Sequence, residues 1–181
     1  MTIMGMPEKF EKNAEQEGMS EAKRELLRFE MDGKYVFHGS PLNLNKLEPR
    51  QAFDFDKEKG GLAEDGKPAV CATDRAEVAI AKAIFWQRPE FAGIFHWLWG
   101  YEVNEKGEKS IVFEASRNTL EQLKAIKDKL RGYIHVFSKS GFEQYRNDEW
   151  RTYKEVNPEK VIEVRFEDLP DIKIIEDEKP D

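Results

Sequence analysis

Three short stretches of this sequence hold side chains that could do chemistry together. They are Lys34-Tyr35-Val36-Phe37-His38-Gly39-Ser40, Val70-Cys71-Ala72-Thr73-Asp74 and Asn147-Asp148-Glu149-Trp150. Between them they offer an imidazole, hydroxyls, a thiol and carboxylates. A carboxylate held near a reacting centre stabilises positive charge as it develops. An imidazole at the mouth of a strand can hydrogen-bond a ligand and fix its orientation. Gly39, next to His38, would let a ligand approach the backbone closely. Each residue also has an ordinary alternative. A lone histidine more often closes a strand end, and Glu149 is one of 36 acidic residues. Cys71 reads as a small buried hydrophobe, because a thiolate nucleophile needs a neighbouring base that sequence does not place.

The elements that must position these residues are legible around them. Tyr35, Val36 and Phe37 read as a short buried strand between Gly33 and Gly39-Ser40-Pro41, with His38 at its mouth. Residues 68–73 form a second buried strand. Asp74 is placed to N-cap the helix that follows, with Glu77 at the capping-box position and Ala76, Val78, Ala79, Ile80, Ala83 and Ile84 as its buried face. That helix ends near Gln87-Arg88-Pro89.

Upstream, residues 7–31 are helical in character, with a break at Gly18 and an N-cap at Ser20. Residues 41–67 read as a loop long enough to serve as a lid over a ligand. Downstream, the aromatic row from Ile94 to Val103 alternates as a strand does and pairs in a hairpin with Ser110 to Ala115. This row reads as core and not as a base-stacking platform, because no basic residues interleave it. A helix opened by Asn118 and Glu121 follows, with Leu120, Leu123, Ile126 and Leu130 on one side. Strands follow at 133–137, 149–153 and 161–166, with 142–146 ambiguous. The expected class is α+β, built on a split, mainly antiparallel sheet with inserted helices. The expected division is an N-terminal helical extension over 1–31, a domain over 32–175 and an acidic tail over 176–181.

Composition narrows the function. At 181 residues the chain is one domain with an appended helix. A net charge of −7 and a pI near 5.2 argue against a general nucleic-acid binder, which needs a basic face. One cysteine excludes an internal disulfide, and three scattered histidines give no metal-ligand spacing. His96 and His135 sit among apolar residues and read as structural. No apolar run approaches a membrane span and no signal-peptide layout is present, so the expectation is a cytoplasmic protein without a membrane partner.

Taken in order, the three stretches resemble the motifs of the diphtheria-toxin-like and poly(ADP-ribose) polymerase-like ADP-ribosyltransferases. Phe37-His38-Gly39-Ser40 is similar to the first-strand His-Gly-Ser motif. Val70-Cys71-Ala72-Thr73-Asp74 before an Ala-rich helix is similar to the second. Asp148-Glu149-Trp150-Arg151-Thr152-Tyr153 is similar to the last, where a glutamate opens a strand. The resemblance runs from residue 34 to about 166. It implies NAD as co-substrate, with cleavage of the nicotinamide–ribose bond and transfer of ADP-ribose to a protein or nucleic-acid acceptor. It also implies the ADP-ribosyltransferase form of the split sheet.

Residue by residue, the resemblance makes Glu149 the catalytic carboxylate. His38, Gly39, Ser40, Cys71 and Thr73 become NAD-binding residues, with Arg50 a candidate partner for the pyrophosphate. His38, Cys71 and Glu149 should then converge on one cleft. The chain departs from the pattern at Cys71, where the family carries a tyrosine that stacks on nicotinamide. Tyr101, Tyr145, Phe85 or Trp86 would have to supply the ring. Asn147, two residues before Glu149, departs from the arginine-modifying signature of some bacterial toxins. Two alternatives stand beside this reading. One is an RNA 2′-phosphotransferase-like enzyme using Arg50, Arg75, Arg88 and Arg151. The other is a binding module for NAD or ADP-ribose that has lost catalysis.

Overall fold

The computed structural model describes residues 18–56, 60–85, 97–107 and 109–175. The readings for residues 7–17, Trp86, the helix end at 87–89, His96 and the acidic tail lie outside them. The described part is α+β with mostly antiparallel sheets.

The first helix, α1 (Glu21–Asp32), begins as its sequence requires. The Ser20 hydroxyl accepts from the Lys23 amide at 3.0 Å, and Gly33 ends the helix at φ 70°, a left-handed position suited to glycine. β1 (Tyr35–Ser40) follows, then β2 (Phe53–Asp56), β3 (Gly61–Glu64), β4 (Val70–Thr73) and α2 (Ala76–Phe85). β5 (Trp97–Val103) and β6 (Lys109–Ser116) lead into α3 (Arg117–Ala125), which is capped by Ser116 and not by Asn118. β7 (Gly132–Ser138), β8 (Glu143–Arg146), β9 (Glu149–Thr152), β10 (Lys160–Val164) and β11 (Ile172–Ile175) complete the chain.

The main sheet has the order β10-β7-β1-β4-β9-β8, with every pairing antiparallel. A second sheet has the order β11-β6-β5, with β11 parallel to β6. Between the two lies α2, of which only Glu77 and Lys82 escape full burial. A helix apolar on nearly all sides has to sit inside.

The helix lies hard against the main sheet. A Cβ on Gly39 would stand 2.0 Å from the Ala79 carbonyl oxygen, and one on Gly132 would stand 2.8 Å from that of Ala83. The space beside Gly39 that sequence assigns to a ligand is therefore filled by the backbone of α2. A second, smaller core of Val36, Leu47, Val70, Ala72, Phe137 and Phe142 covers the other face of the main sheet.

Two local expectations change. The first turn of α2 is not capped by Asp74. The Glu30 carboxylate of α1 accepts from the Ala76 amide at 2.7 Å, and Thr73 Oγ1 accepts from the Arg75 amide at 3.2 Å. Asp74 instead accepts from Lys139 and from the Trp150 indole, both at 3.0 Å. Residues 41–67 are also more than a loop. Leu47 is buried and bridges Val156, Arg50 bridges Ala69, and β2 and β3 form a hairpin.

Candidate active-site cleft

Strand alternation decides which side chains can meet. Phe37 packs in the core around α2, and it pairs with Thr73, which pairs with Glu149. Thr73 and Glu149 therefore leave the sheet on the α2 side. Val36, Ala72 and Trp150 pack on the opposite side, and His38 shares its starting face with Val36.

β1 and β4 share a single register pair, Phe37 with Thr73, so the two strands part beyond it. His38 fills that seam, and its Nδ1 lies 2.8 Å from the Cys71 carbonyl oxygen. Burial pushes the imidazole pKa down to about 4, which leaves the ring neutral with Nδ1–H donating to Cys71. His135 lies across the pair on β7. Its Nε2 accepts from the Leu44 amide at 3.0 Å, so the proton sits on Nδ1 and is donated to the His38 carbonyl at 3.2 Å. Burial lowers the His135 pKa as well.

The cleft itself opens on the α2 side, between the main sheet and β5. It encloses about 200 Å³ and is lined by Thr73, Lys82, Trp99, Tyr101, Glu149 and the Arg146–Asp148 turn, with Ala72 at its edge. Glu149 is held from below. Its Oε1 accepts from Arg151 Nε at 2.6 Å. Arg151 is 1% exposed, hydrogen-bonds the Asp65 carbonyl and carboxylate, and lies 3.5 Å over the Tyr145 ring. Burial alone would ease the proton off this guanidinium, but the bonds from Glu149 and Asp65 keep it firmly charged. One arginine thus ties the base of the β2–β3 hairpin to the cleft floor. Burial raises the pKa of the Cys71 thiol, as does a hydrogen bond with Glu149, so the thiol is a donor and no thiolate. Asp148, next in line, carries a buried Oδ2 with no hydrogen-bond partner among the described residues, and burial raises its pKa.

The seven site residues expected from sequence thus part company. Thr73 and Glu149 line the cleft. Cys71 adjoins it through Glu149, and His38 reaches the same place through the Cys71 carbonyl, from the far side of β4. Gly39 receives α2. Ser40 is buried and accepts from the Leu42 amide at 3.1 Å, which shapes the turn after β1. The Arg50 backbone pairs with Ala69, and its exposed side chain is not among the cleft residues.

Of the four rings considered in place of the missing tyrosine, Tyr101 lines the cleft, in edge-to-face contact with Trp99 at 6.1 Å. Tyr145 is engaged with Arg151 and Asp65, Phe85 is buried and stacked on Trp97, and Trp86 lies outside the described residues. Sequence reasoning missed Lys82, Trp99 and Arg146 as cleft residues. A usable signal for Lys82 was present: it is a lone lysine in the otherwise apolar run Val78–Phe85.

Among the described residues no group of three or more His, Cys, Asp or Glu is arranged to hold a metal ion. Nor is any helix among them long and apolar enough to cross a membrane. No protein-family model matches the chain, and comparisons with curated proteins and with solved structures find no match.

Proposed function

We propose that the cleft binds the nicotinamide end of NAD, breaks the nicotinamide–ribose bond and passes ADP-ribose to a macromolecular acceptor. The observation that carries this reading is the placement of the Glu149 carboxylate in one small cleft with the Tyr101 and Trp99 rings. Breaking the glycosidic bond builds positive charge on the ribose, and a fixed carboxylate beside it opposes that charge. Arg151 takes one oxygen of Glu149, and with the Cys71 thiol it keeps the carboxylate oriented in the cleft.

The rings supply the stacking surface that Cys71 cannot. At about 200 Å³ the cleft is below the ~300–1,000 Å³ of a drug-sized pocket, so it would hold the nicotinamide and leave the adenosine half outside. On this reading His38 is a positioning residue that fixes β4 through the Cys71 carbonyl, and Thr73 marks the cleft edge. The ADP-ribosyltransferase form of the split sheet belongs to the same proposal.

The test is nicotinamide release from NAD, followed beside the NAD-induced shift in melting temperature. The protein should release nicotinamide and be stabilised by NAD, by about 2.7 kcal/mol at ~100 times the dissociation constant. Glu149→Gln should cut release by roughly a hundred- to thousand-fold while the thermal shift survives, because the ground-state ribose carries little of the charge. Absence of both release and shift in the unaltered protein would sink the reading.

The Glu149–Arg151 ion pair favours one alternative, a module that binds NAD or ADP-ribose without cleaving it, since the carboxylate is already neutralised in part. A thermal shift without release would select that alternative.

A further inference from the structure

Lys82 sits where a lysine needs a reason. Its neighbours on α2 are buried, so its stem is carried into the protein and its amine ends in the cleft. There Nζ lies 5.9 Å from the centre of the Trp99 ring. Among the described residues it joins no ion pair.

The groups facing Lys82 come from four strands. Glu149 on β9 favours its charged form, and Cys71 on β4 faces it as a neutral thiol. His38 on β1 is neutral and contributes little. β8 and the turn after it bring Arg146 and Asp148, of opposite sign, to the same cleft. Burial outweighs these influences and lowers the pKa of Lys82. An amine drawn out of water in this way is neutral, and so nucleophilic, at lower pH than an exposed lysine.

We propose that the Lys82 amine forms an imine with an aldehyde ligand, and that the aldehyde taken is aromatic, its ring seated on Tyr101 and Trp99. The neutral amine attacks the carbonyl carbon, and the C–N bond forms as the carbonyl oxygen takes up a proton. The resulting carbinolamine then loses that oxygen as water, so amine plus aldehyde gives imine plus water. Glu149, in the same cleft, is placed to pass the proton. The two rings in edge-to-face contact and the cleft's size suit a ligand of one ring. This chemistry does not need NAD and stands whether or not the NAD reading does.

The experiment incubates the full chain at about pH 7 with 4-hydroxybenzaldehyde and cyanoborohydride, then maps modified lysines by peptide mass spectrometry. Ordinary lysines, with pKa near 10.4, are almost wholly protonated there, so Lys82 should be modified at least roughly tenfold more than any other. Its labelling should also level off at lower pH than theirs. Lys82→Arg should abolish the excess and leave the labelling of the other lysines unchanged. Uniform labelling, an unlabelled Lys82, or a pH profile parallel to the other lysines would each overturn the proposal. Should the variant fail to fold, the site map and pH profile of the unaltered protein decide the matter.

Discussion

The β1–β7 side of the main sheet and the β4–β9 side both hold polar side chains inside the protein, and they use them in opposite ways. On the first side His38 and His135 find partners for the ring nitrogens that hold the sheet and its loops. Nδ1 of each bonds a carbonyl, and Nε2 of His135 takes the Leu44 amide. On the second side the satisfaction is incomplete. Among the described residues Lys82 has a ring but joins no ion pair, and Asp148 keeps a buried oxygen without a hydrogen-bond partner. Polar groups that are fully paired contribute to a fold, whereas those left short are where a ligand adds something. The motif that first draws the eye, His38-Gly39-Ser40, lies on the side whose polar groups hold the sheet together.

Arg151, on β9 of the second side, is the well-paired exception there, and removing it would test the comparison hardest. Arg151→Met keeps volume but strands the Asp65 and Glu149 carboxylates, and loss of one partner from a buried ion pair costs about 3–5 kcal/mol. Chemical denaturation should show a loss of that size, together with loosening of the β2–β3 hairpin. A loss under about 1 kcal/mol, the range of surface pairs, would mean that water replaces the guanidinium.

Gly39→Ala comes next. The new methyl would meet the Ala79 carbonyl at 2.0 Å, so helix and sheet must separate, at a cost of about 3 kcal/mol, the upper end for overpacking. If instead stability holds and ligand binding falls, Gly39 belongs to the ligand after all.

The smallest effect is read from pH. The folded-state pKa of His38 is near 4 against 6.5 for an exposed ring, so the unfolded chain binds the proton first. The stabilisation from the neutral ring is complete above about 6.5 and is lost as pH falls through the window down to about 4, amounting to roughly 1–2 kcal/mol by pH 5.5. His135 is shifted in the same direction and adds to the slope. His38→Asn should flatten the melting-temperature profile across that window. An unchanged slope would place the ring in water.

What the sequence made legible, and what it hid, follows physical lines. The apolar runs at Tyr35–Phe37 and Val70–Thr73, the aromatic alternation into Val103 and the Val161–Val164 strand were readable, because burial repeats locally. The hairpin was masked. Its strand Phe53-Asp54-Phe55-Asp56 alternates as a strand should, but the charged and glycine-bearing run after it reads as loop. The cap of α2 was misplaced because Asp74 is the nearest acid in sequence, while Glu30 is the nearest in space. The cleft was half legible: Glu149 opens a strand at a recognisable place, but Lys82, Trp99 and Tyr101 are joined to it only by the docking of β5 across α2. No local pattern encodes that meeting.

The bond from Glu30 to the Ala76 amide also bears on where this protein can be cut. Residues 1–31 look in sequence like an appendage. Yet Leu26 is fully buried in the main core, and Glu30 closes the first turn of the helix that carries Lys82. A truncated version beginning at the first strand would strip the Ala76 amide of its acceptor and leave the helix's outer side wet. The smallest autonomous unit containing the cleft therefore begins no later than Ser20, whose hydroxyl starts α1 and also donates to Asp168 near the far end of the chain.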